Sequence, residues 1–359
     1  MKDRLLGLVP SRFNLIQGGN DPKDNEKNNI FSFPEIHEEV EDENEEDDEN
    51  EDESKLGVES PNNRNRSKFE RYKDKTKRIV PKKRKKKPRL QQASIFKVYD
   101  DCRQDSLTVQ VIRLFKECFE SVGLHLVLVP YPVISNRTGL DAAVGGIIHV
   151  VPDCQSRDQM GKAGAKTLLQ AFTNRFGAAD SSSFAKAQDN FSRSAAAYAV
   201  ICYLLLIKDR HNGNLLIDSL GHLIHIDFGF ILGISPGGNL GFETAAFKLT
   251  REMVEVLGGE ESEAFHLFME RCVQGFLASR QLIEPVMALV ASMADSALPC
   301  FHFSNTLKNL RSRFAPEMSD AHAANFMRNL VQDAIMKTTT VVYDGIQKLQ
   351  NNIYSETWR

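Results

Sequence analysis

Apolar residues recur at helical spacing over 104–121, at Leu107, Val111, Leu114, Phe115 and Phe119, and predict an amphipathic helix. The run Ala93-SIFKV just before it reads as a strand. Two more apolar runs, Leu124-HLVLV and Gly146-IIHVV, are expected as buried strands on either side of a Pro- and Gly-containing loop over 131–145. Beyond Asp153 the pattern turns mainly helical, with helices expected near 183–207, 263–279, 284–293 and 320–350. Two short strands, Asn214-LLID and His222-LIHID, bracket Ser219-Leu220-Gly221 as a hairpin. The most apolar stretch, 195–207, falls short of the ~20 residues that span a bilayer. It leads straight into Lys208-Asp209-Arg210 and reads as a buried core helix, so any membrane contact is expected to be peripheral.

Charge divides the chain further. Residues 35–53 are nearly all Glu and Asp, and residues 64–89 are dominated by Lys and Arg, closing with Lys82-KRKKKPR. Blocks of like charge repel themselves and bury no core, so 1–90 is expected to be disordered. Its basic end suits anionic lipid, a nuclear address or simply a solvated linker. Three zones follow: 1–90, then 91–152 with strands and one helix, then the helical 153–359. Of 359 residues 42% are hydrophobic, enough for a sizeable core. The formal net charge of −3 argues against a nucleic-acid partner. Six cysteines without a Cys-x-x-Cys pair read as reduced, buried thiols of a cytosolic protein, and no zinc spacing is present. Residues 1–20 lack the basic start and apolar run of a signal peptide.

The chemistry-bearing residues gather around the hairpin, in Lys208-DRHNGNLLID and His225-IDFGF. Phosphoryl transfer asks a protein for a metal to neutralise phosphate charge, a residue to position the nucleophile and a cation on the phosphates. Asn214 and Asp227 offer hard oxygens suited to Mg²⁺. Asp209 and His211, at the turn of the loop, suit action on a hydroxyl proton. Lys97 on the first strand supplies the cation. Asp-Phe-Gly alone is a weak signal, but joined to Asp-Arg-His-x-x-Asn by a predicted hairpin it is strong. His222 and His225 read as packed core residues, with His225 bracing the loop.

Asp209-RHNGN with His225-IDFGF resembles the phosphatidylinositol 3- and 4-kinase superfamily, in which Asp-Arg-His reverses the His-Arg-Asp of protein kinases. Ile95-FKVYDDCRQD is similar to the family's lysine strand and following helix. Asp101-CRQD, Val151-PDCQSRDQMG, Ser235-PGGNLGFE and Leu298-PCF look most like the alpha-type phosphatidylinositol 4-kinases. The resemblance covers roughly 91–354. It implies an α+β, bilobal protein-kinase-like fold, with a truncated β-rich N-lobe and a mainly helical C-lobe. It also implies ATP and Mg²⁺ as cofactors. Lys97 would contact the ATP phosphates and Asp105 would hold that lysine, or a water near it. Tyr131 would lie behind the adenine, and the backbone of His149, Val150 and Val151 would be the hinge that binds it. Asp209 and His211 would position and deprotonate the inositol hydroxyl, with Arg210 stabilising the loop. Asn214 and Asp227 would bind Mg²⁺, and Gly229 would give the backbone freedom after the metal Asp.

The resemblance implies transfer of the ATP γ-phosphate to the 4-hydroxyl of phosphatidylinositol, on cytoplasmic and particularly plasma membranes, with scaffold or regulatory proteins as partners. The alternatives are a lipid 3-kinase or protein kinase of the same superfamily, or an inactive fragment acting as a binding module. The segment 231–250 has one cation, Lys248, and one anion, Glu243, which favours an unphosphorylated head group. A last helix with Ile335, Val341, Val342, Ile346, Leu349 and Ile353, followed by Trp358, suits a membrane interface or packing on the C-lobe. Three features depart from the family. Further N-lobe strands before the lysine strand are not legible in 1–90, so the chain is expected to be a fragment with an open upper wall to the ATP site. Tyr99 stands where the family has Gly. His149 stands at an acidic or cysteine hinge position, with little expected effect because the hinge acts through its backbone.

Overall fold

The computed structural model describes residues 92–138, 143–236, 245–302 and 304–336. The charged zone 1–90, residues 237–244 of the segment expected to face substrate, and the chain beyond Met336 with Trp358 lie outside the described residues.

Strand β1 (Ser94–Val98) pairs antiparallel with β3 (Ala143–His149), which pairs antiparallel with β2 (Val133–Thr138), giving the order β1-β3-β2. Lys97 lies opposite Gly146 and Val98 opposite Gly145. A Cβ on Gly145 would stand 2.5 Å from the Lys97 carbonyl oxygen, and one on Gly146 would stand 2.7 Å from Cys102 Cβ. This glycine pair lets the lysine strand and the helix after it approach β3 closely. That helix, α1 (Arg103–Ser121), forms where its periodicity predicts and buries Leu107, Val111, Phe115 and Phe119.

Two expectations are corrected here. Strand β2 occupies the region expected as a loop over 131–145: it is an edge strand whose exposed Ile134, Ser135, Asn136 and Arg137 give no apolar run. No strand forms over 124–129. There Leu126 and Leu128 are buried, but the extended chain leans on a helix: Val127 N–H donates to the Arg193 carbonyl at 3.5 Å and Val129 N–H to the Tyr198 hydroxyl at 3.4 Å. An apolar run buried by helices reads like one buried in a sheet.

The helical lobe contains α2 (Arg157–Lys162), α3 (Leu168–Phe176), α4 (Ser182–Leu205), α5 (Arg251–Val256), α6 (Glu263–Ser279), α7 (Ile283–Ala291), α8 (Thr306–Arg313) and α9 (Asp320–Met336). A second small antiparallel sheet, β4 (Gln155–Ser156), β5 (Leu215–Ile217) and β6 (Leu223–His225), pairs in that order. Helix α4 runs through the core. Ser181 caps its start by accepting the Phe184 N–H, and Phe191, Ala196, Ala197, Val200, Ile201 and Leu204 are buried along it. Its small residues admit close neighbours, and Ser194 Oγ accepts the Leu223 N–H at 2.8 Å, fixing β6 on the helix. The helix stops at Leu206, in left-handed conformation with φ 48°, and Arg313 Nε donates to the Leu204 carbonyl. A cation at the helix C-terminus opposes the negative end of its dipole. Where α4 stops, the loop 208–214 begins. The whole has the expected α+β organisation, with a small sheet lobe and a larger helical lobe.

Candidate active site

The residues 208–214 leave α4 and enter β5 through a tight turn. Asp209 takes a left-handed backbone angle, φ 63°, and its carbonyl accepts Asn214 Nδ2 at 2.9 Å. That bond assigns the amide nitrogen of Asn214 to the Asp209 carbonyl and leaves Oδ1 as its acceptor atom. His211 Nδ1 accepts the Gly213 N–H at 3.0 Å, which places the proton of a neutral imidazole on Nε2. In the β5–β6 hairpin Leu215 lies opposite His225, and Ile226 N–H donates to the Asn214 carbonyl at 3.2 Å. Register alone therefore brings Asn214 and Asp227 to the same end of the hairpin. Asp227 is again left-handed, φ 62°. The backbone freedom expected of Gly229 falls instead on Asp227, since Gly229 has no left-handed angle; its N–H reaches Asp227 Oδ1 at 3.4 Å.

Arg210 joins the two loops. It is 4% exposed, donates to the carbonyls of Lys208 (3.0 Å), Ile226 (2.7 Å) and Asp227, and lies 5.6 Å above the Phe228 ring. Its place is thus structural support behind the reacting groups. Tyr131 also stacks on Phe228, at 6.3 Å between centroids and 15° between planes. Tyr131 is buried, and burial raises its hydroxyl pKa, with the nearby Asp105 charge adding to it. His225 lies beneath, stacked on Tyr198 at 4.6 Å; burial, with Arg210 and Lys248 nearby, lowers its pKa well below the usual value and keeps it neutral.

The sheet lobe contributes the cation. Lys97 Nζ pairs with Asp100 at 3.0 Å. Burial works to lower its pKa, but the carboxylates of Asp227, Asp105 and Asp100 outweigh it and raise the value, so the ammonium is secure. The expectation that Asp105 serves Lys97 finds an electrostatic counterpart, yet its observed hydrogen bond is elsewhere: Oδ1 accepts the Phe228 N–H at 2.7 Å. Burial first, then the Asp227 charge, push the Asp105 carboxyl up to about 6.

The hinge is polarised by one proline. His149 N–H donates to the Pro132 carbonyl at 3.0 Å, but Pro132 has no N–H to give back, so the His149 carbonyl receives no ladder bond from β2. Val150 N–H is used by the Ala93 carbonyl at 2.9 Å, and its own carbonyl by Gln92 Nε2. The Val151 N–H finds no partner among the described residues. An acceptor at 149 and a donor at 151 match the paired donor and acceptor on the edge of an adenine. Lys248 Nζ donates to Asn212 Oδ1 at 3.2 Å, which brings the one cation of the 231–250 segment onto the catalytic loop.

The anticipated residues thus lie on the 208–214 loop (Asp209, Arg210, His211, Asn214), after β6 (Asp227), on β1 (Lys97), on α1 (Asp105), ahead of β2 (Tyr131), at the end of β3 (His149, Val150, Val151) and ahead of α5 (Lys248). Sequence reasoning missed three supports: Pro132, whose signal was only a loop proline; Lys208, whose Nζ ties the catalytic loop to the Ala245 carbonyl at 2.9 Å; and Gln104, beside Asp105. Among the described residues no group of three or more His, Cys, Asp or Glu gathers as a metal cage. Two protein oxygens with phosphates and water completing the shell is the usual manner of Mg²⁺, so Asn214 and Asp227 fit that ion.

Comparison with known proteins agrees with this arrangement. The family model described as phosphatidylinositol 3- and 4-kinase matches residues 91–303. The chain is 49% identical over 265 residues to phosphatidylinositol 4-kinase alpha 1 of Arabidopsis thaliana, covering 73% of this chain and 13% of that protein. It is 47% identical over 263 residues to phosphatidylinositol 4-kinase stt4 of Schizosaccharomyces pombe, covering 73% and 14%. It is 47% identical over 265 residues to phosphatidylinositol 4-kinase alpha 2 of Arabidopsis thaliana, covering 73% and 48%. The matched region spans less than half the length of each of these relatives. With the match to more than half of its residues and the loops that carry it in place, the chain belongs to the phosphatidylinositol 3- and 4-kinase family.

Proposed function

We propose that this chain transfers the γ-phosphate of ATP to the 4-hydroxyl of phosphatidylinositol. The observation that carries the reading is the convergence of Lys97, Asp209, Asn214 and Asp227 from separate elements, together with relatives that are named phosphatidylinositol 4-kinases. Adenine is held by the His149 carbonyl and the Val151 N–H, and Lys97 holds the phosphates. Asn214 and Asp227 hold Mg²⁺, which when bound neutralises charge on the phosphates. Asp209 takes up the proton of the attacking hydroxyl. The His211 tautomer makes Nε2 a donor, so His211 steadies negative charge on the transferred group instead of sharing the role of base. Lys248, alone among the cations of its segment, offers one charge to the head group phosphate, which suits an inositol without further phosphates.

The reading includes work at a cytoplasmic membrane surface, the plasma membrane among them, in the company of scaffold or regulatory proteins. By length and composition the helical stretch Glu263–Ser296 is apolar enough to cross a bilayer. Its ion pairs Arg271–Asp189 at 2.5 Å and Arg280–Asp320, and the burial of Phe268, Cys272 and Phe276, tie it into the helical lobe, which supports peripheral contact.

The test is transfer of label from ATP to phosphatidylinositol micelles, with the ring position of the product identified. The parent chain is expected to give phosphatidylinositol 4-phosphate, and Asp227→Ala and Lys97→Met to lose about a hundredfold or more in rate while remaining folded. Equal turnover by parent and Asp227→Ala overturns the metal assignment; label at another hydroxyl overturns the substrate assignment. No transfer by the parent overturns activity of this chain by itself.

A further inference from the structure

Gln104 stands one position before Asp105 on the first turn of α1 and has no place in the chemistry above. Its side chain is 4% exposed. Nε2 donates to the Phe228 carbonyl at 3.3 Å and to the Gly229 carbonyl. Asp105 accepts the Phe228 N–H at 2.7 Å. Two adjacent side chains of one helical turn thus hold three of the four polar groups of the Phe228–Gly229 backbone that directly follows Asp227.

The amide can be oriented in only one way, because both neighbours on the backbone side are acceptors and demand the nitrogen. Oε1 then faces away, buried, with no hydrogen-bond partner among the described residues. A leucine would fill nearly the same volume and leave no buried acceptor wanting a donor. As packing, glutamine is the worse choice; as a double donor to two carbonyls, leucine cannot replace it. The loop it grips has an uncommon backbone, since Asp227 sits at φ 62°, a region that residues other than glycine populate sparsely even when, as with aspartate, they tolerate it best.

We infer that Gln104 is a positioning residue for the metal carboxylate: by pinning the Phe228 and Gly229 carbonyls to α1 it fixes the angle at which Asp227 presents its oxygens to the cation. This rests on the reading of Asp227 as a cation ligand. Its effect belongs to the metal and not to the nucleotide base, which is held by the hinge on another element.

The experiment uses Mn²⁺ as probe, titrated by electron paramagnetic resonance into the full chain with a non-hydrolysable ATP analogue present. Binding of the analogue without metal is measured alongside by fluorescence. The parent is expected to bind Mn²⁺ and Asp227→Ala to lose it. Gln104→Leu is expected to weaken Mn²⁺ about tenfold, the usual effect of removing a residue that orients a ligand, with metal-free nucleotide binding and unfolding temperature unchanged. If Gln104→Leu does not fold, Gln104→Asn, which keeps the amide but draws it back by one methylene, carries the same expectation. Parent-like Mn²⁺ binding by the folded Gln104 variants overturns the inference and leaves Asp227 as ligand. An equal loss of metal-free nucleotide binding also overturns it, by showing general damage. Equal Mn²⁺ binding by parent and Asp227→Ala overturns the reading of the metal site, and this inference with it.

Discussion

Asp209 and Asp227 share a left-handed backbone angle with six other side-chain-bearing residues among those described, and these two are the acids of the proposed reaction. Aspartate tolerates such an angle better than most side-chain-bearing residues but adopts it seldom, so hydrogen bonds around it help to fix it. Arg210, Asn214 and Asp105 do so through hydrogen bonds to the adjoining backbone. Tyr99 has the same kind of angle, φ 61°, without that reason: it is 80% exposed, at the turn where the family resemblance leads one to expect glycine. Tyr99→Gly is therefore expected to stabilise the fold by about 0.5–1 kcal/mol, the relief of strain less the greater freedom of an unfolded glycine. Urea denaturation reads this directly, and a destabilised variant would mean that Tyr99 makes contacts worth more than its strain. The unusual turn at Tyr99 is legible in the sequence, as a bulky residue at a glycine position of the family. The left-handed Asp227 is not, because a motif spells out residue types and says nothing of which of them bears the unusual angle.

Helices α4, α6 and α7 and strands β5 and β6 form close to where the apolar pattern puts them and bury apolar residues there, whereas β1 forms where expected with its Ile95, Phe96 and Val98 exposed, held by its pairing with β3. The short elements escaped. Helix α2 has only six residues, too few for a period, and its start is written in a capping box: Ser156 Oγ accepts the Gln159 N–H at 3.1 Å while Gln159 returns a bond to the Ser156 N–H at 2.8 Å. Its Arg157 and Glu252 of α5 form a bidentate pair, both contacts 2.8 Å, with side chains 4% and 7% exposed. This pair fastens the helix after the substrate-facing segment to the helix after the hinge. Breaking it strands a buried charge, so Arg157→Met is expected to cost about 3–5 kcal/mol, whereas the double change Arg157→Met with Glu252→Leu should recover most of that. A double-mutant cycle in urea measures it. Additive losses would show that the two residues act through other neighbours.

At the scale of the whole molecule, α1 sits beside the sheet in sequence but is bolted to the helical lobe. Arg103 Nη1 donates to the Ser296 carbonyl at 3.0 Å and Gln281 Nε2 to Cys118 Sγ at 3.1 Å, while the sheet leaves Phe96 and Val98 more than 60% exposed. Amide hydrogen exchange should place α1 with α4 and α6 in the slowest class and β1 and β2 in a faster one; α1 exchanging with the sheet would contradict this partition. Composition sets the charged zone apart from the rest of the chain, but this allegiance of α1 depends on long-range contacts that no local pattern records. One consequence concerns inhibitors. Phe228 is stacked on Tyr131, covered by the Arg210 guanidinium and tied by its own N–H and carbonyl to Asp105 and Gln104. A drug that works by turning this phenylalanine out of its socket must break all four contacts together, so selective compounds for this site have to be shaped to the hinge and to the space before Tyr131, with the motif left where it is.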